Sequence, residues 1–479
     1  MMVKTTEINP TLSLQVAVVG HTNTGKTSLL RTLTRKRAFG QVQPGPGTTR
    51  HVEGVRIEVS AQGSLSLFDT PGIEDSMALL DYIEGLVGAN HRIDGPERIQ
   101  RFLDSPEARA RFEQEARVLR QLLRSEAGLY VIDVRDPVLA KYKDELRILS
   151  WCGKPLLPVL NFLQHQPTRI ADWEAALADL GLHVQAHFDT VAPALDGEIQ
   201  LYQKLSLLLN QRYRFLLEGL STQLRQQRQQ RLADAKLLLA ECLVDVAAWQ
   251  LSCSAEPAEL QAQVQAMQQL VRDREQRCVQ ALLTRYQFSP EDVLPQDFDV
   301  DGYRWGTDLF HPEALKQLGI QIGKGLATGA VAGATFDLLT AGLSLGTGTL
   351  VGATVGGVWQ GVNQWGQKIM QRWRGQADLA VSDEVLRALA LRQLALIRAL
   401  EQRGHAAQTP ITLVVTPGQS GAAGLHFDWR SDPLPPVLVQ AQHHPQWSGL
   451  LYPDTDSERR QAAIRALAAQ LEASPEARD

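Results

Sequence analysis

The stretch Gln15–Leu30 reads QVAVVGHTNTGKTSLL, and it decides the fold of the N-terminal part of the chain. The run LQVAVVG (14–20) is short, rich in valine and ended by glycine, which predicts a buried strand, and residues 26–36 have the pattern of a helix. Between them, GHTNTGKTS matches the phosphate-loop pattern Gly-x-x-x-x-Gly-Lys-Thr. This context predicts a loop whose backbone N–H groups, at a helix N-terminus, bind phosphate.

Composition sets the outer limits. A chain of 479 residues is expected to fold as two or three domains, and its net charge of −5 gives no general reason to expect nucleic acid as the main partner. The four cysteines are scattered without a CxxC pair, which indicates a reducing compartment and no cysteine metal site. The N-terminus has no long apolar run, which argues against a secretory signal.

The first 196 residues alternate strand and helix patterns. VRIEV and LSLFDT predict an antiparallel pair, and LYVIDV, PLLPVLNF and HVQAHFDT predict further strands. The predicted fold class is an α/β P-loop NTPase domain over residues 1–196, with a mostly parallel sheet, helices on both faces and a helical insertion near 73–127.

The remainder of the chain is predicted to be mainly α-helical. Residues 197–407 form a helical domain, in which two long amphipathic helices suggest a hairpin or coiled-coil-like arm, followed by a glycine-rich hydrophobic hairpin near 320–366. Residues 408–479 are predicted to be a small α/β region with a strand at 411–417 and a terminal helix at 457–472.

Within the phosphate loop each residue type has a chemical reason. Gly20 and Gly25 allow the tight turn, Lys26 neutralises the β- and γ-phosphates, and the Thr27 hydroxyl can bind Mg²⁺. The predicted nucleotide-binding residues of the loop are Gly20, His21, Thr22, Asn23, Thr24, Gly25, Lys26, Thr27 and Ser28.

Two further motifs complete the phosphate site. In DTPG (69–72), Asp69 can hold the Mg²⁺ water shell and Gly72 can offer its N–H to a γ-phosphate. In PGPGTTRH (44–51), a threonine can close over the γ-phosphate and reach Mg²⁺.

In this order and spacing, GHTNTGKTS, PGTTRH and DTPG resemble a translation-factor-class GTPase of the Era/TrmE type, over roughly residues 14–195. The resemblance implies binding of GTP and Mg²⁺ and GTP hydrolysis, with Lys26 and Thr49 as the catalytic residues and Thr27, Thr49 and Asp69 at the metal; Thr48 is the alternative to Thr49. It also implies that Asn23 binds K⁺. Ile73 stands where Ras-like proteins have a water-positioning Gln, as in GTPases that rely on a cation, a partner or dimerisation.

The family's guanine-reading motif, Asn-Lys-x-Asp, is altered here. Asn161 is retained, but Phe162 replaces the Lys and Gln164 replaces the Asp. A carboxylate that pairs with both N–H groups of the guanine edge is a strong discriminator, and Gln164 offers one carbonyl oxygen. Guanine or adenine preference therefore stays open, with GTP favoured by resemblance.

The segment 325–358 raises a membrane hypothesis. It carries glycines at a spacing of four, and it has no charge from Leu338 to Val358, a length that matches the ~20 residues needed to span a bilayer. Trp, Lys and Arg flank its C-terminal side, as at membrane interfaces. The alternative is a tightly packed helical hairpin inside a soluble domain.

Taken together, the chain looks like a bacterial group in which an Era-like GTPase domain is joined to a helical C-terminal domain of unknown function. The main hypothesis is a cytoplasmic molecular switch that hydrolyses GTP and meets the inner membrane, peripherally or as an integral protein, through residues 325–358. The alternatives are a non-hydrolysing nucleotide-binding scaffold and a dynamin-like membrane remodeller. An unknown protein partner and a homodimer stay open, and RNA or the ribosome follows from resemblance only.

Overall fold

The computed structural model describes most of the chain outside a few connecting segments. The described residues are 12–35, 52–59, 63–87, 93–164, 168–254, 256–288, 376–403, 428–452 and 457–472, with short pieces between 298 and 344. By internal contacts the chain divides into residues 1–228 with 402–408, and residues 229–401 with 409–479. The predicted boundary after residue 196 stays a prediction. The loop 44–51 with Thr48 and Thr49, the strand 411–417 and nearly all of 325–358 lie outside the described residues.

A six-stranded, mostly parallel sheet forms the centre of the first unit. Its strands are β1 (Leu12–Val19), β2 (Glu53–Val59), β3 (Gly63–Asp69), β4 (Ala127–Asp133), β5 (Leu156–Asn161) and β6 (Ala186–His187). They lie in the order β2-β3-β1-β4-β5-β6, and only the β2–β3 pair is antiparallel. The predicted antiparallel pair and parallel sheet are confirmed, but β6 has only two residues where HVQAHFDT suggested eight.

Helices cover both faces of this sheet. They are α1 (Lys26–Thr34), α2 (Ser76–Val87), α3 (Gly95–Asp104), α4 (Glu113–Arg124), α5 (Ala140–Ser150), α6 (Ile170–Asp179) and α7 (Gly197–Leu207). The alternation of side chains along β1 shows why two cores form: Ala17 and Val19 pack with α2–α6, whereas Val16 and Val18 pack with α1 and α7. Helices α2, α3 and α4 lie within the range of the predicted helical insertion, and a short 3₁₀ turn before α4 breaks the 105–126 pattern.

The second unit is mostly helical, as predicted, and holds a small antiparallel sheet. Helix α8 (Gln211–Ala247) begins in the first unit and ends in the second, which also contains α9 (Pro257–Tyr286), α10 (Asp383–Gln402), α11 (Pro436–Ala441) and α12 (Glu458–Glu472). The strands are β7 (Gln250–Ser254), β8 (Phe298–Asp299), β9 (Arg304–Trp305), β10 (Leu343–Ser344) and β11 (Gln376–Val381). β10, β11 and β7 form one sheet, so Leu343 and Ser344 of the glycine-rich segment lie in a strand.

The two long helices do not form a free-standing arm. Apolar residues of α9 such as Val264, Met267 and Val271 are buried in one core with the C-terminal half of α8 and with α10, α11 and α12. The hairpin alternative agrees with side-chain contacts that pair α8 with an antiparallel α9, such as Cys278 with Leu238 and Arg285 with Asp234. The amphipathic faces pack inside a multi-helix core rather than in a separate coiled-coil arm. The strand β7 between α8 and α9 was not predicted.

A buried charge network ties this helical core together. Asp245 on α8 accepts hydrogen bonds from Arg274 Nε on α9 and from Arg460 Nη2 on α12, both at 2.7 Å. Its Oδ1 also accepts from the Gly449 N–H at 3.0 Å, and Arg460 Nε donates to the Trp447 carbonyl. Because both carboxylate oxygens are occupied by donors from separate elements, Asp245 sets their mutual positions.

Removing one partner of this network is expected to destabilise the helical unit. Arg460→Ala leaves Asp245 short of one buried counter-charge, so the free energy of unfolding should fall by about 3 kcal/mol. Urea unfolding monitored by tryptophan fluorescence measures it. Arg459→Ala, at the exposed neighbouring position of α12, is the control and should change stability by less than about 0.5 kcal/mol. Equal midpoints for the two variants would contradict the structural role of the network.

Candidate functional site

The phosphate loop runs from the end of β1 to the start of α1, as the motif predicted. Gly20 and Gly25 have φ angles of +139° and +95°, which favour glycine. A Cβ on Gly20 would lie 2.6 Å from the Val131 carbonyl oxygen, and one on Gly25 would lie 2.4 Å from Asn161 Nδ2. Both glycines are therefore required by backbone conformation and by the close approach of β4 and β5.

Lys26 lies inside the loop rather than in solvent. Its Nζ donates hydrogen bonds to the carbonyl oxygens of Gly20 and His21, at 3.0 and 2.6 Å. Burial lowers the pKa of this ammonium, while the negative charges of Asp69 and Glu145 act in the opposite direction. The loop thus holds a partly desolvated cation beside its own backbone N–H groups, which suits an anion.

Thr27 and Asp69 come together although they are 42 residues apart in the chain. The Thr27 hydroxyl donates to Asp69 Oδ2 at 2.6 Å. The other oxygen, Oδ1, is buried and has no hydrogen-bond partner among the described residues. Burial raises the pKa of the Asp69 carboxyl to about 6, against the lowering effects of the Thr27 hydrogen bond and the Lys26 charge. A hard oxygen site of this kind fits Mg²⁺.

The DTPG turn packs directly on the phosphate loop. Residues His21 and Ile73 form an isolated parallel bridge. A Cβ on Gly72 would lie 2.6 Å from Thr22 Cα and 2.7 Å from the Thr22 backbone nitrogen. The Thr22 hydroxyl is buried without a hydrogen-bond partner among the described residues. The DTPG turn and the phosphate loop, which are distant in sequence, are therefore in direct contact.

Asn161 connects the phosphate loop to the other end of the site. Its side chain is fully buried, and Nδ2 donates to the Thr24 carbonyl at 3.0 Å. Oδ1 accepts from the backbone N–H groups of Phe162 and Thr190, at 2.8 and 3.0 Å. One amide group therefore joins the phosphate loop to the loops that follow β5 and β6.

Phe162 is half-buried beside the phosphate loop, whereas Gln164 is exposed. Phe162 has a φ of +62°, and its ring atom Cζ lies 3.3 Å from the position of a Cβ on Gly25. The guanidinium carbon of Arg135 lies 4.0 Å from the centre of that ring. Gln164 is exposed, and its backbone N–H donates to Asp189 Oδ2 at 3.1 Å.

A charged cluster lies behind the phosphate loop. His21 Nε2 is 3.0 Å from Lys141 Nζ, and its Nδ1 is 3.6 Å from Oε2 of the fully buried Glu145. Burial raises the pKa of the Glu145 carboxyl, while its contact with His21 acts in the opposite direction. His21 therefore points into the domain and contributes its carbonyl to Lys26, so its imidazole is not placed as a phosphate ligand.

The structure brings most of the predicted site residues to one edge of the sheet. At the carboxyl ends of β1, β3 and β5 lie Gly20, His21, Thr22, Asn23, Thr24, Gly25, Lys26, Thr27, Ser28, Asp69, Gly72 and Asn161. Thr49 and its alternative Thr48 lie outside the described residues, so their roles stay predictions. The roles of the others also stay predictions, taken up below as proposals.

Sequence reasoning did not find Arg135 or Asp189. Asp189 accepts hydrogen bonds from the backbone N–H groups of Gln164, Val191 and Ala192, and so closes the loop after β6. Arg135 follows the end of β4. The available signal was positional, because ligands in open α/β sheets bind outside the carboxyl ends of the strands, where both residues lie.

Two family models match the chain. Residues 15–162 match "50S ribosome-binding GTPase", and residues 174–469 match "Domain of unknown function (DUF3482)". The N-terminal domain is a P-loop GTPase domain, as its fold and phosphate loop indicate. Membership of this class is evidence that the domain binds a guanine nucleotide and Mg²⁺. Because the second model spans more than half of the sequence, the chain belongs to the DUF3482 family.

Solved structures of GTPases are similar at low identity. The crystal structure of a variant of Aquifex aeolicus Era bound to GDP·AlF4⁻ has 15% identity over 41% of this chain and 57% of that chain, with a TM-score of 0.31. The G domain of the T. maritima FeoB iron transporter has 17% identity over 41% of this chain and 99% of that chain, with a TM-score of 0.25. At these scores the likeness says nothing about substrate or partner. The search of curated proteins found no match.

Within the described part of the chain, none of the helices combines the length and the apolar character needed to cross a bilayer. Residues 325–358, apart from Leu343–Ser344, are not among those described.

The close contact of Gly72 with the phosphate loop yields a matched pair of substitutions. Gly72→Ala forces a methyl group into the Thr22 backbone, so we expect a loss of about 1–3 kcal/mol of stability and weaker nucleotide binding. Gly85→Ala adds a methyl group to open space on α2 and should stabilise by about 0.5–1 kcal/mol. Urea unfolding and nucleotide titration measure both. If Gly72→Ala behaves like Gly85→Ala, the packing of DTPG on the loop is refuted.

Proposed function

We propose that the N-terminal domain binds GTP with Mg²⁺ and hydrolyses it to GDP and phosphate, acting as a molecular switch for the helical domain. The observation that carries the proposal is the convergence of Lys26, the Thr27–Asp69 pair and the DTPG turn on one phosphate loop. A chance glycine loop would not bring a buried ammonium and a buried carboxylate to the same edge of the sheet.

The role proposed for Lys26 is electrostatic. Its charge is held by two backbone carbonyls and cannot leave the loop without losing both hydrogen bonds. The N–H groups of the loop and of the first turn of α1 add a positive potential at the same place. This preorganised charge stabilises the negative charge that develops on the transferred phosphoryl group.

The proposed Mg²⁺ ligands are the Thr27 hydroxyl, Asp69 and, from resemblance, Thr49. Asp69 Oδ1, which has no hydrogen-bond partner among the described residues, and the adjacent Thr27 oxygen are hard oxygen ligands of the kind that Mg²⁺ prefers. When bound, Mg²⁺ supplies charge neutralisation for the phosphate oxygens. Asp69 must be ionised to bind it, and its hydrogen bond from Thr27 favours that form.

Ile73 stands where Ras-like proteins have the glutamine that orients the attacking water. Ile73 is fully buried in the core and offers no polar group to a water molecule. We therefore propose that a cation acts in its place, with K⁺ bound near Asn23, an exposed loop residue with a φ of +65°. A comparison of turnover in K⁺ and Na⁺, with Asn23→Ala as the variant that loses the difference, tests this point.

The proposed contact between residues 325–358 and a membrane rests on sequence alone. Sedimentation with liposomes, for the full chain and for a deletion of 325–358, tests the membrane contact: equal pelleting would remove it.

GTP turnover should depend on Lys26. In Lys26→Ala, the charge inside the loop is lost, so GTP hydrolysis in Mg²⁺ and K⁺ should fall by at least about 100-fold. Lys143→Ala, at an exposed position of α5, is the control and should keep wild-type turnover. Phosphate release measures both.

The outcomes separate the alternatives. Equal turnover in the Lys26→Ala variant would contradict the proposed site. Tight GTP binding by the wild-type protein without turnover would instead favour the non-hydrolysing scaffold.

A further inference from the structure

The carboxylates at the base end of the site are already bound within the protein. Asp133 accepts from Arg135, with Nε at 2.8 Å and Nη2 at 2.6 Å, and Asp136 accepts from the Tyr142 hydroxyl at 2.9 Å. Asp189 accepts three backbone N–H groups and is 3% exposed. A nucleotide base that needs a carboxylate partner must break these bonds, which is costly for buried groups.

The backbone donors of the loop after β6 are bound as well. The N–H of Thr190 donates to Asn161 Oδ1, and those of Val191 and Ala192 donate to Asp189 Oδ1, at 2.9 and 3.1 Å. None of these three consecutive amides is left to meet the 6-oxo group of a guanine. The loop is therefore closed on itself through Asp189.

What the base end offers instead is an aromatic ring and an amide. The Phe162 ring lies against Gly25 of the phosphate loop and carries the Arg135 guanidinium at 4.0 Å. Aromatic rings with a stacked guanidinium hold any base, because each base has a π-face. Gln164, the exposed side chain of this loop, has one acceptor and one donor group.

An amide does not distinguish the two purine edges as a carboxylate does. The guanine edge presents two neighbouring N–H donors and a carbonyl, whereas the adenine edge presents an amino donor beside a ring-nitrogen acceptor. By rotating its terminal amide, Gln164 can make one good hydrogen bond with either edge. If a carboxylate stood at position 164, a bound adenine would leave one carboxylate oxygen without a hydrogen-bond donor.

We propose that the site does not discriminate among purine nucleoside triphosphates: the phosphate loop and the Phe162–Arg135 stack hold each of them, and Gln164 leaves guanine, hypoxanthine and adenine nearly equivalent. This inference rests on the proposed nucleotide binding and narrows its specificity. GTP is one substrate of the site and ATP another.

The test is a set of equilibrium titrations with GTP, ITP and ATP in Mg²⁺. For the wild-type protein, the three dissociation constants should lie within about tenfold of one another. Gln164→Asp, alone or together with Phe162→Lys, should raise the preference for GTP over ATP by at least about 100-fold. Gln164→Ala is the matched control and should leave the ratio near the wild-type value.

The Phe162→Asn variant distinguishes stacking of the base on the ring from hydrogen bonding to the base edge. Asparagine tolerates the positive φ at this position, so the backbone should be kept. Without the ring, GTP and ATP should both bind more weakly by the same factor, about tenfold. A change in their ratio instead would show that Phe162 reads the base.

A wild-type preference for GTP of about 100-fold or more would overturn the inference without touching nucleotide binding itself. The same holds if Gln164→Asp binds nucleotide but gains no selectivity, since that would remove Gln164 as the determinant. Failure of every nucleotide to bind, or equal binding by Lys26→Ala, would instead overturn the proposed function on which the inference rests.

Discussion

In the N-terminal domain, one buried amide joins the two ends of the candidate site. Asn161 donates to the Thr24 carbonyl of the phosphate loop and accepts from the N–H groups of Phe162 and Thr190. A buried group with its hydrogen bonds satisfied in three directions fixes the loops it touches, and an unsatisfied one costs about 1–3 kcal/mol. The phosphate end and the base end of the site therefore keep one geometry only while this side chain is in place.

The two ends of the site differ in how their polar groups are bonded. At the phosphate end, polar groups are held ready: Lys26 lies inside the loop, Asp69 has an unpartnered oxygen and Thr22 has an unpartnered hydroxyl among the described residues. At the base end, the carboxylates and amides are bonded to each other through Asp189. On the proposed function, this arrangement favours a phosphate chain over one particular base. In the helical unit, Asp245 accepts hydrogen bonds from Arg274 and Arg460 and so connects three helices.

Sequence patterns predicted the features that depend on local residue order. The phosphate loop, the five longer strands and helix α1 follow from apolar periodicity and from glycine at positions with positive φ. The strand β7 was missed because five residues between two long helices carry little periodic signal, and β6 was overestimated because HVQAHFDT alternates without being paired beyond two residues. Arg135 and Asp189 could not be assigned from sequence, since their partners lie on other loops. The network around Asp245 joins residues about 200 positions apart, which no local pattern encodes.

The measurement that tests this account most directly is a nucleotide titration of Asn161→Ala beside the wild-type protein, with circular dichroism to confirm that the domain is folded. If Asn161 holds both ends of the site together, binding of GTP and of ATP should weaken by the same factor, at least about tenfold, corresponding to the loss of one or two buried hydrogen bonds. Unchanged affinity in the folded variant would contradict the account, because the phosphate loop would then be organised without the link to β5.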